Sequence, residues 1–301
     1  MLTGVHFLLS YRCIYECDHC FLYSSPRAQG TFTLAQVEQV LKQAADLGTV
    51  SWVYFEGGEP ALFYPLLIES VRLAGRMGFE VGVVTNAYFA TSEADAALWL
   101  GPLRDLHISD LSISDDDFHS SAETTPGKIA LSAAQKLGLP VGSICIDRPR
   151  VERPASDSVK GKPVVGGGVR FRGRAVETLT KDLPTRPWSE FNECPHEELA
   201  APERVHVDAY GNVQVCQGLS AGNLWVTPLR DLMSRYRADR HPICGPLVRG
   251  GPAALATELG VPHADGYVDA CHFCYSVRRA LIDRFPEDLA PRQVYGLDEA
   301  V

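Results

Sequence analysis

Cys13-Ile-Tyr-Glu-Cys17-Asp-His-Cys20 places three thiols at the spacing C-x3-C-x2-C. Thiolate is a preferred ligand of zinc and of iron–sulfur clusters, so three of them this close either share one soft metal centre or avoid one another. A four-iron cluster takes four ligands. Three cysteines leave one iron open, and an open position is where a metal site does chemistry instead of only holding a fold. At the level of this run alone, a zinc site and unrelated buried thiols remain alternatives.

Other residues have types suited to serve such a centre. In Glu56-Gly57-Gly58-Glu59-Pro60 the glycines let a ligand approach the backbone closely, and a carboxylate accepts from an ammonium. Thr85-Asn86 and Ser114-Asp115 are polar pairs that follow apolar runs, where a hydrogen-bonded cap is the plain alternative. Asp116, Asp117 and His119 make the second of these loops more polar still, suited to substrate or simply solvated. A second group of thiols lies far downstream: Cys194, then Gly211-Asn-Val-Gln-Val-Cys216, then Cys271-His-Phe-Cys274. Four thiols close a cluster or a zinc ribbon equally well, and His196 or His272 competes as a ligand. Cys145 and Cys244 are left over, either as buried apolar thiols or as hydrogen-atom donors.

The elements that must position these residues alternate. Residues 6–10, 51–55, 80–85, 110–114 and 141–146 read as strands, and helices fall between the first four pairs. Thr33 and Gln36 form a capping-box pattern for the first helix, which stops at Gly48. The second helix runs from about 65 to Gly78. Thr91 or Ser92 caps the third, ending near Gly101-Pro102, and the fourth covers about 127–137. Such β-then-α order with short links predicts an α/β fold with a partial (β/α)6 TIM-type barrel, in which functional side chains gather at the C-terminal ends of the strands. The motifs above all fall there. Residues 148–168 lack periodicity and read as a long loop, and 169–175 as the sixth strand. From about 187 the character changes, with a hairpin (205–207 and 213–215) and helical stretches near 229–238 and 275–285. The expected domains are therefore 1–186 and 187–301.

The chain has 301 residues and a formal net charge of -9, which argues against a surface that grips nucleic acid by neutralising phosphates. Its apolar start has no basic flank or cleavage site, and no stretch reaches the length of a membrane span. Nine cysteines without an export signal point to a reducing, cytoplasmic compartment and to metal ligation.

With these motifs in place, the sequence resembles the radical S-adenosylmethionine (radical SAM) enzymes. The resemblance implies a [4Fe–4S] cluster on Cys13, Cys17 and Cys20, whose free iron is chelated by SAM. It implies that Gly57, Gly58 and Glu59 hold the SAM amino group. Thr85 and Asn86 occupy the place of the family's Thr-Asn-Gly, here ending in Ala87, and Ser114 and Asp115 would serve the SAM carboxylate and ribose. Arg172 and Arg174 match a stretch from which an arginine can reach that carboxylate. The tail resembles a SPASM/Twitch auxiliary domain, which implies Cys194, Cys216, Cys271 and Cys274 as ligands of a second [4Fe–4S] cluster, with Cys244 extra.

The implied activity is a radical SAM oxidoreductase: SAM is cleaved to a 5'-deoxyadenosyl radical, a substrate hydrogen is removed, and the auxiliary cluster accepts an electron. The substrate is a ribosomal peptide or a small polar metabolite, and flavodoxin or ferredoxin suits the electron supply. No extra domain precedes the first strand here, a lean toward small molecules or short peptides. The rival readings are a peptide epimerase with Cys145 or Cys244 as hydrogen donor, and a non-catalytic iron–sulfur or zinc-binding module.

Overall fold

The structure is a computed structural model describing residues 1–119, 124–152 and 164–297. The first half alternates as expected: β1 (Gly4–Ser10), α1 (Leu34–Leu47), β2 (Trp52–Gly57), α2 (Tyr64–Arg76), β3 (Glu80–Thr85), α3 (Glu93–Asp105), β4 (Asp110–Ser114), α4 (Pro126–Lys136) and β5 (Val141–Ile144). Thr33 caps α1 through the expected box: its hydroxyl accepts from Gln36 N, and the Gln36 side-chain oxygen accepts from Thr33 N. Pro102 lies inside α3, which continues to Asp105 beyond the expected stop.

Two short strands, β6 (Arg150–Glu152) and β7 (Val164–Gly166), pair antiparallel at the base of the 148–168 excursion, and residues 153–163 of it lie outside the described residues. Then follow α5 (Ala175–Thr178), β8 (Arg186–Pro187), β9 (Arg204–Asp208), β10 (Asn212–Cys216), β11 (Leu219–Asn223), α6 (Leu229–Arg235), α7 (Cys244–Leu259), β12 (Gly266–Tyr267) and α8 (Ala270–Leu281).

One mixed sheet, in the order β11-β10-β9-β1-β2-β3-β4-β5, organises the fold. β1 to β5 are parallel, and the sixth parallel strand is β9, which pairs with β1. The expected sixth strand at 169–175 does not form. That segment runs against the cysteine loop instead: Arg174 N donates to Cys20 O at 2.9 Å, and Gly173 takes φ +64° where a Cβ would sit 2.5 Å from Phe21 Cα. Its alternating Val-Arg-Phe-Arg pattern serves two arginine contacts rather than a pleat. The hairpin β9–β10 is the expected one, yet it extends the main sheet, which thus crosses the 186/187 boundary.

Strand alternation divides the sheet into two faces. Val5, Phe7, Leu9, Val53, Phe55, Val83, Leu111 and Ile113 are buried in a core shared with α1 to α4. On the second face His6, Tyr54, Glu56, Ser112, Ser114, His206 and Asp208 are polar and stand beside the apolar Leu8 and Val84. Among the described residues, no helix is long and apolar enough to cross a membrane.

Candidate active site

The chain leaving β1 carries the cysteine loop over the C-terminal ends of β2, β3 and β4. Gly58 N donates to Ser10 O at 2.6 Å and Glu59 N to Arg12 O at 2.9 Å, strapping the start of that loop to the end of β2. The approach explains both glycines. A Cβ on Gly57, whose φ is +132°, would lie 2.5 Å from Ser10 O, and one on Gly58 would lie 2.3 Å from Arg12 O. Gly58→Ala should therefore cost roughly 1–3 kcal/mol, read as a lowered denaturation midpoint, with reduced iron uptake at the adjoining loop.

Cys13, Cys17 and Cys20 all line one cavity of about 330 Å³, together with Gly57, Gly58, Thr85, Asn86 and Ser114. Cys13 Sγ accepts from Tyr15 N and from Asn86 Nδ2, each at 3.4 Å. All three thiols are free. Burial pushes Cys13 up to about 12, Glu59 adding to this against bonds from the Tyr15 and Ile14 backbone. Burial also takes Cys17 to about 12, helped by the neighbouring thiols. Metal binding at this loop must release protons, since thiolate is the ligating form.

Glu59 is fully buried behind the cavity wall. Its carboxylate accepts from Thr85 Oγ1 at 2.8 Å, Asn86 N at 2.7 Å and Ala61 N at 2.8 Å, tying the ends of β2 and β3 together. Burial lifts its pKa to about 7 against those three bonds.

The four tail thiols converge as well. Cys194, Cys216, Cys271 and Cys274 line a second cavity, although the chain between the first and last spans most of the C-terminal third. Gly251 helps bring them together: at φ +60° it lets α7 approach so closely that a Cβ there would lie 2.3 Å from Glu193 N, beside Cys194. Asp269 caps α8 through His272 N at 2.7 Å and so fixes the turn that bears Cys271 and Cys274. Arg172 lines both cavities, and its Nη1 donates to Cys216 Sγ at 3.2 Å. Burial lowers the Arg172 pKa, but the Cys216 and Cys271 sulfurs and Glu197 more than offset it, leaving the guanidinium charged.

The spacing of the sulfurs bears on which metal fits. A single tetrahedral zinc with bonds of about 2.3 Å holds its sulfurs about 3.8 Å apart. Among the described residues, no three cysteines bring their sulfurs within 4.8 Å of one another.

Residues 7–146 match the family model described as Radical SAM superfamily, a span that contains the cysteine loop and every strand end lining the first cavity. Residues 7–146 form a radical SAM domain. Over 112 residues it is 25% identical to "Putative peptide biosynthesis protein YydG" of Bacillus subtilis (strain 168), an alignment covering 37% of this chain and 35% of that protein. The match thus spans about a third of the curated relative's length. The crystal structure of BtrN in complex with AdoMet and 2-DOIA superposes with a TM-score of 0.52 at 16% identity, covering 77% of this chain and 82% of BtrN, and shows the shared fold. A radical SAM family member carries a [4Fe–4S] cluster and SAM, and the three free thiols around one cavity fit that donor set.

Not every sequence-derived site residue reaches the radical SAM cavity. Gly57, Gly58, Thr85, Asn86, Ser114 and Arg172 line it, whereas Glu59 stands behind its wall. Asp115 turns to the start of α4, where its carboxylate accepts from Thr125 Oγ1, the residue capping that helix. Arg174 braces the cysteine loop from outside: its Nη1 donates to Cys17 O and its Nη2 to Ser24 O, both at 2.8 Å. Arg174→Ala should cost about 2–4 kcal/mol by losing two charge-assisted bonds, and lower the iron content of the first site in anaerobic reconstitution.

Cys145, read either as a buried apolar thiol or as a hydrogen-atom donor, is exposed. It follows the edge strand β5, and the alternation sends Ile144 and Ile146 into the cavity and Cys145 away from it. Cys244 opens α7 and is buried in the core, its sulfur accepting from Tyr236 Oη at 3.4 Å, and it lines neither cavity. His119 Nδ1 lies 2.7 Å from Asp116 Oδ1, a pair that keeps Asp116 below the ordinary carboxylate range despite burial. Cavity residues given no role from the sequence include Tyr15, His19 and Glu56. Glu56 had a signal, being a charged residue on the polar face of an otherwise apolar strand.

Proposed function

We propose that this radical SAM enzyme modifies a peptide, with Cys194, Cys216, Cys271 and Cys274 holding an auxiliary [4Fe–4S] cluster that accepts an electron from the substrate radical. The observation that carries this reading is Arg172, a single guanidinium lining both the SAM cavity and the four-thiol cavity. It supports electron passage over a short, protein-filled gap. The peptide class rests on YydG, whose printed name places it in peptide biosynthesis.

When bound, the first cluster supplies the electron that cleaves SAM and so generates the radical that abstracts hydrogen. The chain's own residues position and exclude. Gly57 and Gly58 offer backbone to the SAM amino group, Thr85, Asn86 and Ser114 offer polar side chains at the neighbouring strand ends, and Ile144 and Ile146 give the cavity an apolar wall against water. Glu59 acts on SAM through the Thr85-Asn86 turn that it fixes. Residues 187–301 form the auxiliary unit, built onto the sheet of 1–186 through β9. A flavodoxin or ferredoxin provides the reductant in a cytoplasmic setting, and no nucleic-acid partner is involved.

Epimerisation needs a thiol that returns a hydrogen atom, and neither Cys145 nor Cys244 lines the SAM cavity. Net oxidation is therefore the better reading. Turnover with the peptide substrate in deuterated buffer should give a product two hydrogens lighter, with no deuterium on carbon. A product of unchanged formula that carries solvent deuterium would replace oxidation with epimerisation.

A further inference from the structure

Three side chains from adjacent strands meet below the SAM cavity: His6 on β1, Glu56 on β2 and His206 on β9. β1 lies between the other two strands, and His6 is in register with His206 on one side and Tyr54 on the other. Strand parity puts Glu56, two residues beyond Tyr54, on the same face.

The distances are those of a coordination sphere. Glu56 Oε1 is 3.4 Å from His6 Nδ1 and 3.1 Å from His206 Nε2, and all three ligand atoms lie within 4.8 Å of one another. Metal–ligand bonds of about 2.1 Å place neighbouring ligand atoms about 3.4 Å apart on a tetrahedron and about 3.0 Å apart at cis octahedral positions. This group is narrow enough for one ion.

A second, independent observation is that His6 Nδ1 is buried without a hydrogen-bond partner. Buried ring nitrogens are ordinarily satisfied, whereas this one has Glu56 Oε1 at 3.4 Å outside hydrogen-bonding geometry. The group is also rigid: it stands on three strands of one sheet, and the His6 ring stacks on Tyr54 with centroids 4.7 Å apart. Its protonation suits a cation. Burial raises Glu56, yet bonds and charge from His206 and His6 hold its carboxyl well below the usual range, while burial lowers His206. Metal ligation requires an ionised carboxylate with neutral imidazole, so a cation would displace any proton the rings share with Glu56.

The geometry points to a site for one divalent first-row cation, held by His6 Nδ1, Glu56 Oε1 and His206 Nε2. Two imidazoles and one carboxylate leave coordination positions open. Because Glu56 also lines the SAM cavity, the open side adjoins the substrate space, where a substrate carbonyl or carboxylate oxygen completes the sphere. The ion would thus anchor and orient substrate from the cavity floor, apart from both iron–sulfur sites. A similar group, His19, Asp116 and His119, is set aside because it adjoins Cys20.

Zinc is the probe, added to the iron-reconstituted holoenzyme and followed by desalting. The expected result is about one retained zinc with only nitrogen and oxygen neighbours at about 2.0–2.1 Å by X-ray absorption. Glu56→Gln and His206→Asn should each lower retained zinc at least ten-fold (about 1.4 kcal/mol) with the iron content unchanged, which also shows that the variants fold. Sulfur neighbours at about 2.3 Å, no zinc in the wild type, or undiminished zinc in both variants would overturn the assignment. The wild-type absorption spectrum decides the matter even where a variant fails to fold.

Discussion

Cys17→Ala should reduce reductive formation of 5'-deoxyadenosine from SAM to below about a thousandth of the wild-type rate, more than about 4 kcal/mol of barrier. Cys17 is the informative member of the three because its loop is held by backbone rather than by its sulfur. Its carbonyl accepts from Cys20 N at 3.0 Å and from Arg174 Nη1 at 2.8 Å, bonds that alanine keeps. Cys13, by contrast, is buried against Asn86 and would confound ligation with packing. The Cys17 variant should fold with near-wild-type circular dichroism, and its iron should fall from about eight to about four per chain if two four-iron clusters are present. Retained SAM cleavage would contradict the role of the loop.

Substituting Cys271 and Cys274 together by alanine should have the opposite pattern. Iron again falls to about four, but SAM cleavage continues because none of the first three thiols is touched, while formation of the oxidised product is lost by about a hundred-fold or more. The uncoupling follows from the two cavities being separate except at Arg172. A stability penalty accompanies it. Arg278 is buried and its charge is favoured by Tyr295 and the Cys274, Cys216 and Cys271 sulfurs against burial, so removing two sulfurs leaves the guanidinium with fewer partners. A lowered melting temperature of the reconstituted variant checks this. Product still formed at the wild-type rate would show that the tail thiols play no part in turnover.

How much of this was readable from residue order varies with the physics involved. β3 and β4 fall on the expected bounds because short apolar runs between turn residues leave little choice of register. The helix capped by Thr33 was legible because the cap and its partner Gln36 are three residues apart in sequence. Tertiary contacts were not. The Val169–Ala175 stretch alternates like a strand, yet its backbone and its arginines go to the cysteine loop and the tail thiols, and β9 takes the vacant edge of β1. α7 escaped notice because Gly250-Gly251-Pro252 interrupts its periodicity, and the structure shows two helical pieces joined there by a kink. Asp115 and Arg174 have residue types suited to SAM, but a helix cap at Thr125 and the outer side of the loop claim them. The four tail thiols were legible as a set only through their spacing; that they share a cavity with Arg172 depends on folding the chain.

The central claim is that Cys13, Cys17 and Cys20 hold a cluster whose fourth corner is left for SAM. Electron paramagnetic resonance of the reduced, reconstituted Cys271→Ala/Cys274→Ala protein, which retains only the first cluster, tests it most directly. Adding SAM should shift the g-values of the reduced [4Fe–4S] signal at one SAM per cluster. A spectrum that SAM leaves unchanged would mean that a protein side chain occupies the fourth corner, and the account would be wrong.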